Sequence, residues 1–348
     1  INLKGEVIGI NSAKIADSSV EGVGYAIPIQ KITQENIQIA VNRAASIYSP
    51  KSVHNQHSLL VSVLSTFLPN FKIRTTLPQK KNSNVYIPDD EMIKILINKC
   101  NNLDLLKAII LAAGKGTRMK SDKPKVVHQV MGKPMVYYSI EAARQAGADE
   151  VCVIVGYKAD EVKSAIAASV NDVKVDYALQ EEQLGTGHAV KCAADFIGRD
   201  GDVIILCGDT PLVTGDTLRK ALDFHKESGN GVTVISAMLD DPFGYGRIIR
   251  DGDSLAKIVE QKDADEAEQA VKEVNSGMYI FDCAALQDAL SQISNDNAQG
   301  EYYLPDAIEI IKKMGLPASA VPMDDADQIR GVNTLEQLAD AEKIMENR

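Results

Sequence analysis

The stretch Leu105-Leu106-Lys107-Ala108-Ile109-Ile110-Leu111, running directly into Ala112-Ala113-Gly114-Lys115-Gly116-Thr117-Arg118-Met119, narrows the folds open to this chain more than any other. A short apolar run of this kind reads as a strand buried on both faces, which belongs to a parallel sheet covered by helices. The glycines and cations after it fall where an open α/β sheet receives ligands, at the carboxyl end of its first parallel strand. Small residues let backbone N–H groups approach phosphates, and Lys115 and Arg118 supply neutralising charge. Pro124-Lys125 adds a further cation on the same excursion. The glycine spacing matches neither the Walker phosphate loop nor the dinucleotide fingerprint.

Strands and helices alternate beyond this loop. The pattern predicts an amphipathic helix that opens at Lys133-Pro134-Met135 and closes at Gly147, a strand over 150–155, a helix over 158–169, and strands over 173–179 and 203–206. Alternation of this kind means a parallel, right-handed α/β sheet. The second half turns strand-rich, with strands predicted over 232–239, 246–250, 256–259 and 274–281 and a hairpin at Asp251-Gly252. A last helix is expected over 334–347.

Charge divides the chain. Residues 31–103 carry 9 basic against 4 acidic side chains, whereas residues 104–348 carry 26 against 41. The acidic body argues against nucleic acid as its main partner. It leaves room for a polyanionic small substrate, which a local cationic loop or a metal can serve. No apolar run approaches a membrane span, so no membrane partner is expected. The 5 cysteines are scattered with no Cys-x-x-Cys pair, as expected of reduced thiols in a cytoplasmic protein.

The first thirty residues read as strands around Gly5 and Gly9 and over 21–30. Asn2-Leu3-Lys4-Gly5-Glu6-Val7-Ile8-Gly9-Ile10-Asn11, followed by Gly22-Val23-Gly24-Tyr25-Ala26-Ile27-Pro28-Ile29, resembles the last barrel strands of HtrA-type proteases. The family's serine, histidine and aspartate would lie upstream of Ile1, and a Ser-His-Asp mechanism needs all three groups converging, so no protease activity is expected. Residues 32–103 look helical, then extended. Ser49-Pro50-Lys51-Ser52-Val53, Leu77-Pro78-Gln79-Lys80-Lys81 and Ile87-Pro88-Asp89 together resemble the core-binding domain of tyrosine recombinases. That likeness and the local positive charge admit weak, salt-sensitive DNA binding; a solvated cationic face without function is the alternative. The expected organisation is therefore a β fragment at 1–30, a helical segment and linker at 31–104, and a working domain at 105–348, with the seam at residues 101–104.

Within that domain the candidate site residues fall at strand ends. Gln180 closes the third strand, with Gly185 and Thr186 at a helix start whose N–H groups would be free. Asp209 follows the fourth strand, where a carboxylate facing phosphates serves as a Mg²⁺ ligand. Each has a plainer alternative: Gln180 and Thr186 as surface or capping residues, Asp209 as a turn residue, His128 and His188 as structural, Gly244 and Gly246 as turn glycines. Their combination in order along one chain argues otherwise.

The combination resembles one family. Residues 111–119, Pro124-Lys125, Gly132-Lys133-Pro134, Gln183-Leu184-Gly185-Thr186-Gly187-His188-Ala189, Gly208-Asp209, Gly244-Tyr245-Gly246-Arg247-Ile248 and Asn297-Ala298-Gln299-Gly300-Glu301-Tyr302-Tyr303 all look like the uridyltransferase half of the bifunctional bacterial enzyme that makes UDP-N-acetylglucosamine. The likeness covers about residues 105–346. It implies a Rossmann-like, mostly parallel nucleotidyltransferase domain with an added strand-rich sugar-binding part. It also implies Mg²⁺-dependent attack of N-acetylglucosamine-1-phosphate on UTP, giving UDP-N-acetylglucosamine and pyrophosphate. By position, Leu111, Ala112, Ala113, Gly114, Gln180, Gly185 and Thr186 would hold the nucleotide, and Arg118 and Lys125 the catalytic charge. Asp209 and Asn333 would hold Mg²⁺; Gly246, Glu260 and Asn275 would contact the sugar. Cys207 stands where other members carry tyrosine, with no effect expected. No hexapeptide repeat is visible, so the acetyltransferase half and the trimer it builds are expected to be absent.

Overall fold

The computed structural model describes residues 105–348 except Asp172, Asp253 and Ala298, together with the backbone of one short strand pair near the N-terminus. The chain separates into two units, Ile1–Asn101 and Asn102–Arg348. In the first, β1 (Glu6–Val7) pairs antiparallel with β2 (Ile27–Pro28), inside the two stretches read as strands. The helical and extended elements expected over 32–103, and any DNA contact through them, lie outside the described residues.

The second unit is built on a 9-stranded sheet. Its centre is β3 (Leu106–Ala112), flanked in parallel by β6 (Glu150–Val155) on one side and β8 (Asp202–Cys207) on the other. Beyond β6 lies β7 (Val175–Leu179), again parallel. Beyond β8 the direction reverses at β12 (Glu273–Asp282), which pairs antiparallel with β8 and with β9 (Val232–Met238). The start of β12 also meets β10 (Arg247–Asp251), which forms a hairpin with β11 (Ser254–Val259). A strand not anticipated from the sequence, β13 (Ala318–Pro322), adds in parallel to β9.

The side chains of β3 explain why it is central. Leu106, Ala108, Ile110 and Ala112 point into one core and Ile109 into another, and β6 and β8 alternate in the same way. Strands that bury both faces need helices on both. On the first face these are α1 (Met135–Ala146), α2 (Ala159–Ser169) and α5 (Gly215–Ser228). On the second are α3 (Thr186–Lys191), α4 (Ala194–Ile197), α7 (Cys283–Leu290) and α8 (Asp306–Lys313), while the short α6 (Glu266–Gln269) caps the edge by the β10–β11 hairpin. Lys107, the one cation in the opening run, is accommodated because its ammonium reaches the Ile197 carbonyl at 2.6 Å. Among the described residues no helix is long and apolar enough to cross a membrane.

One boundary departs from the sequence reading. Lys133 and Pro134 belong to β5 (Lys133–Pro134), which pairs with β4 (Gln129–Val130), and α1 begins only at Met135. Met131 and Gly132 both take positive φ, 46° and 77°. That is the geometry of a tight two-residue hairpin, and it claims the residues before the helix. A third small core joins Val130 and Met135 to Leu212, Val332 and Ala341, seating the last helix, α9 (Leu335–Glu346), against this hairpin.

At the carboxyl end of β6, Gly156 sits between the loop after β3 and the residue after β7. A Cβ there would lie 2.9 Å from the Ala113 Cβ, the Ala113 carbonyl oxygen and the Gln180 carbonyl oxygen. Two of these are backbone atoms that cannot rotate away. Gly156→Ala is therefore expected to lower stability by about 1–3 kcal/mol, read as a reduced urea midpoint at unchanged m-value. A midpoint equal to that of the parent chain would show that the three strand ends have room to part.

Candidate functional site

Parallel strands aim their carboxyl ends the same way, so the loops after β3, β6, β7 and β8 gather along one edge of the sheet, and the reversal of strand order between β3 and β8 opens a crevice there. The loop after β3 runs through Gly114 and Lys115 into a single 3₁₀ turn, Thr117–Met119, anchored by the buried Met119. A second 3₁₀ turn, Lys125–Val127, follows Pro124. Gly116 lets the two turns touch: a Cβ on it would collide with the Lys125 Cβ. The glycine is thus what brings the second cation beside the first loop.

Asp209 follows β8. Its backbone carbonyl accepts from the Val332 N–H at 2.9 Å, which draws Asn333 in from the far end of the chain. The Lys125 ammonium donates to the Asp209 carboxylate and, at 3.0 Å, to Asn333 Oδ1. Arg118 donates to the same Oδ1 at 2.8 Å. The Asn333 amide is oriented by its own Nδ2, which donates to the Gly331 carbonyl at 3.2 Å. Its backbone N–H donates to Gln337 at 2.7 Å, inside the helix that Thr334 caps. Four residues from distant stretches, Arg118, Lys125, Asp209 and Asn333, therefore meet, with Lys125 and Asp209 keeping 17% and 19% of their side-chain surface exposed.

This donor set fits Mg²⁺. It offers one carboxylate and one amide oxygen, both hard ligands that converge on the Lys125 ammonium, and among the described residues no group of three or more His, Cys, Asp or Glu side chains forms a full protein cage. Mg²⁺ is held in that way, by one or two protein oxygens with water and substrate phosphates completing its shell.

Gln180 does not lie on the surface. It exposes 3% of its area, and its amide donates to the Gly185 carbonyl at 3.1 Å and lies 3.2 Å from His188 Nδ1. His188 thereby acts as a brace for Gln180. The expectation of free N–H groups at the start of α3 needs correction. The Gly187 N–H is taken by the Tyr302 carbonyl at 2.8 Å, the Tyr302 N–H returns to the Leu184 carbonyl at 2.8 Å, and Thr186 Oγ1 accepts from Leu304 N–H at 3.2 Å. The stretch around Tyr302 is stitched onto the loop after β7, which accounts for the two motifs occurring together.

The sugar candidates share one row of the sheet. Arg247 on β10 is in register with Val259 on β11 and Val274 on β12, so the next residues along, Gly246, Glu260 and Asn275, lie side by side. The Asn275 N–H donates to the Gly246 carbonyl at 2.8 Å, and a Cβ on Gly246 would sit 3.2 Å from Glu260 Oε1. The Asn275 side chain is held by the Tyr279 hydroxyl at 2.8 Å and by the Gly277 N–H at 3.1 Å. Glu260 stays open to solvent between protein walls; those walls, and then the Asp263 carboxylate, raise its carboxyl above the ordinary range. Cys207, at the end of β8, joins this row to the charged cluster through the Gly277 carbonyl, 3.8 Å from its Sγ. Its own carbonyl is gripped by the hydroxyls of Ser139 and Thr210 at 2.8 and 2.9 Å, two residues that had no mark in the sequence.

Residues 107–340 match the family model described as nucleotidyl transferase. Among curated relatives, the bifunctional protein GlmU of Caldanaerobacter subterraneus subsp. tengcongensis is 53% identical over 247 residues, covering 71% of this chain and 53% of the relative. The bifunctional protein GlmU of Acetivibrio thermocellus is 47% identical over 248 residues, with 71% and 53% covered. The chain thus spans about half the length of the curated relatives it matches. A solved structure from Bacillus anthracis, described as a glucose-1-phosphate thymidylyltransferase in complex with a sucrose, superposes with a TM-score of 0.57 at 21% identity, over 70% of this chain and 96% of that one. At that identity the likeness is one of fold.

Burial, then the Asp209 carboxylate, pushes the Cys207 thiol up to about 12, with Lys125 opposing. Burial likewise takes Cys152 and Cys283 up to about 12. A thiol raised in this way stays protonated far below that pH, and the thiolate is the reactive form. Iodoacetamide at about pH 8 should therefore leave Cys152 and Cys283, both buried, unmodified in the folded protein and label them after denaturation, as mapped by peptide mass spectrometry. Rapid native-state labelling of either would contradict its burial.

Proposed function

The chain belongs to the nucleotidyl transferase family, and on that premise we propose that it is a Mg²⁺-dependent uridyltransferase that joins UTP and N-acetylglucosamine-1-phosphate into UDP-N-acetylglucosamine and pyrophosphate. The observation that carries this reading is the meeting of Arg118, Lys125, Asp209 and Asn333 at the ends of β3 and β8, beside the row formed by Gly246, Glu260 and Asn275. The motifs over residues 183–189 and 297–303 support the choice of sugar, since these resemble the N-acetylglucosamine-1-phosphate branch. A cytoplasmic enzyme goes with this reading.

The chemistry asks little covalent work of the protein. A sugar phosphate is already anionic at neutral pH, so its oxygen attacks the α-phosphorus of UTP without a protein base, and pyrophosphate leaves from the opposite side. Rate then comes from alignment and from neutralising charge. Arg118 and Lys125 would meet the triphosphate and the charge that grows on the leaving group, a role their shared contact with Asn333 supports. The backbone over Leu111–Gly114, the buried Gln180 amide, Gly185 and Thr186 would enclose the nucleoside. Glu260 would accept from a sugar hydroxyl and Asn275 would offer an amide to the substrate. Asp209 and Asn333 would hold Mg²⁺, which would supply divalent charge to offset that of the phosphates.

The test is pyrophosphate release. The full chain with Mg²⁺, UTP and N-acetylglucosamine-1-phosphate is expected to turn over, and activity with dTTP and glucose-1-phosphate alone would overturn the choice of substrates. Asp209→Ala should abolish turnover, and Lys125→Ala should lower kcat by about 10²–10³-fold; a normal rate in the Asp209 variant would remove the metal assignment. Removing residues 1–104 should leave turnover largely intact, which the same assay measures.

A further inference from the structure

Arg247 exposes only 2% of its surface. Its guanidinium donates to three neutral oxygens: the Tyr245 carbonyl, the Gln261 side-chain carbonyl at 2.7 Å and the Gln269 carbonyl at 3.4 Å. A guanidinium buried against neutral partners destabilises a fold relative to an apolar side chain of similar length, so packing alone does not account for arginine here.

Its partners define a frame around the sugar row. Tyr245 immediately precedes Gly246, and Gln261 immediately follows Glu260. Gln261 Oε1 also accepts from the Gly244 N–H at 3.1 Å, so one amide oxygen receives both the turn before β10 and the guanidinium within it. The segment after β11 is closed on itself: the Asp263 and Ala264 N–H groups return to the Glu260 carbonyl at 2.9 and 3.0 Å, and the Gln269 side chain donates to the Ala264 carbonyl at 2.8 Å. Arg247 reaches both ends of that closed segment while its own strand continues from Gly246.

We propose that Arg247 is a positioning residue for the sugar phosphate, a clamp that holds the Tyr245–Gly246 rim and the Glu260–Gln261 rim at one separation. This rests on the uridyltransferase reading of the row. The planar fork is what the task needs, because it donates in several fixed directions at once, whereas an ammonium presents a point charge. The guanidinium's hydrogen bonds all go to residues that flank the sugar row, so its loss acts first on the substrate held there. When a binding wall shifts by a fraction of an ångström, the substrate it holds is lost while the other is not.

Steady-state kinetics on the full chain, varying each substrate against saturating amounts of the other, tests this. Arg247→Met and Gln261→Leu are each expected to raise the KM for N-acetylglucosamine-1-phosphate about tenfold while the KM for UTP stays within about twofold. Gln261→Glu, which keeps the acceptor and adds an ion pair, is expected to stay near the parent value. If Arg247→Met fails to fold, the two Gln261 variants carry the comparison. A sugar KM unchanged in Gln261→Leu overturns the clamp. Equal rises in both KM values also overturn it, since they mark a structural role. Absence of turnover by the unsubstituted chain is a separate result: it overturns the uridyltransferase reading and this inference with it.

Discussion

Everything in the catalytic unit follows from one strand that must hide both of its faces. β3 has no solvent side, so its side chains alternate between two cores and are taken up in packing rather than chemistry. Polar function is displaced to the strand's carboxyl end. The same holds for β6 and β8, and the chain's chemistry therefore gathers on one edge of the sheet, at Ala113–Met119, Gly156 and Gly208-Asp209. The backbone approaches there are tight because strands 4.7–4.9 Å apart leave loops little room. Gly156, Gly116 and Gly208 are among the places where even a methyl group would crowd a neighbour.

Charge distribution obeys the same logic at a larger scale. An acidic body is poorly disposed to collect polyphosphates over its surface, so attraction has to be local. In the proposed reaction Lys125 and Arg118 would supply it, and Asp209 and Asn333 keep both cations at defined positions. The arrangement also sets an order among interactions. A cation held by a carboxylate is partly neutralised, and a phosphate or a metal that approaches must exchange with bonds already made.

Strand–helix alternation was legible in the sequence because each buried parallel strand is a continuous apolar run, as at 150–155, which coincides with β6. The family resemblance put Asp209 and Asn333 at one site, and in the structure both meet the Lys125 ammonium. What escaped was whatever depends on a partner far along the chain. β13 reads Ala-Ser-Ala-Val-Pro, too weakly apolar to mark itself, and is a strand because β9 offers a free edge. The hairpin before α1 escaped because proline at a helix start is the commoner meaning of Lys-Pro-Met. The Gly187 N–H was read as free because nothing local shows that Tyr302, more than a hundred residues on, takes it. Arg247 stood inside a quoted motif, yet its role is visible only once Gln261 and Gln269 surround it.

The last helix has a consequence of a mechanical kind. Asn333 is tied into the first turn of α9 through Gln337, and the other end of that helix is fastened by Arg348, which donates to the Leu212 carbonyl at 2.7 Å and to Asp325 at 2.5 Å. Between these ends Ala341 packs against the hairpin core and Glu342 accepts from the Met131 N–H at 3.0 Å. A helix pinned at both ends and along its side works like the cable clamp on an instrument. A force applied at Arg348 meets that fastening before it can reach Asn333. The Asn333 amide oxygen thereby keeps its aim at Arg118 and Lys125.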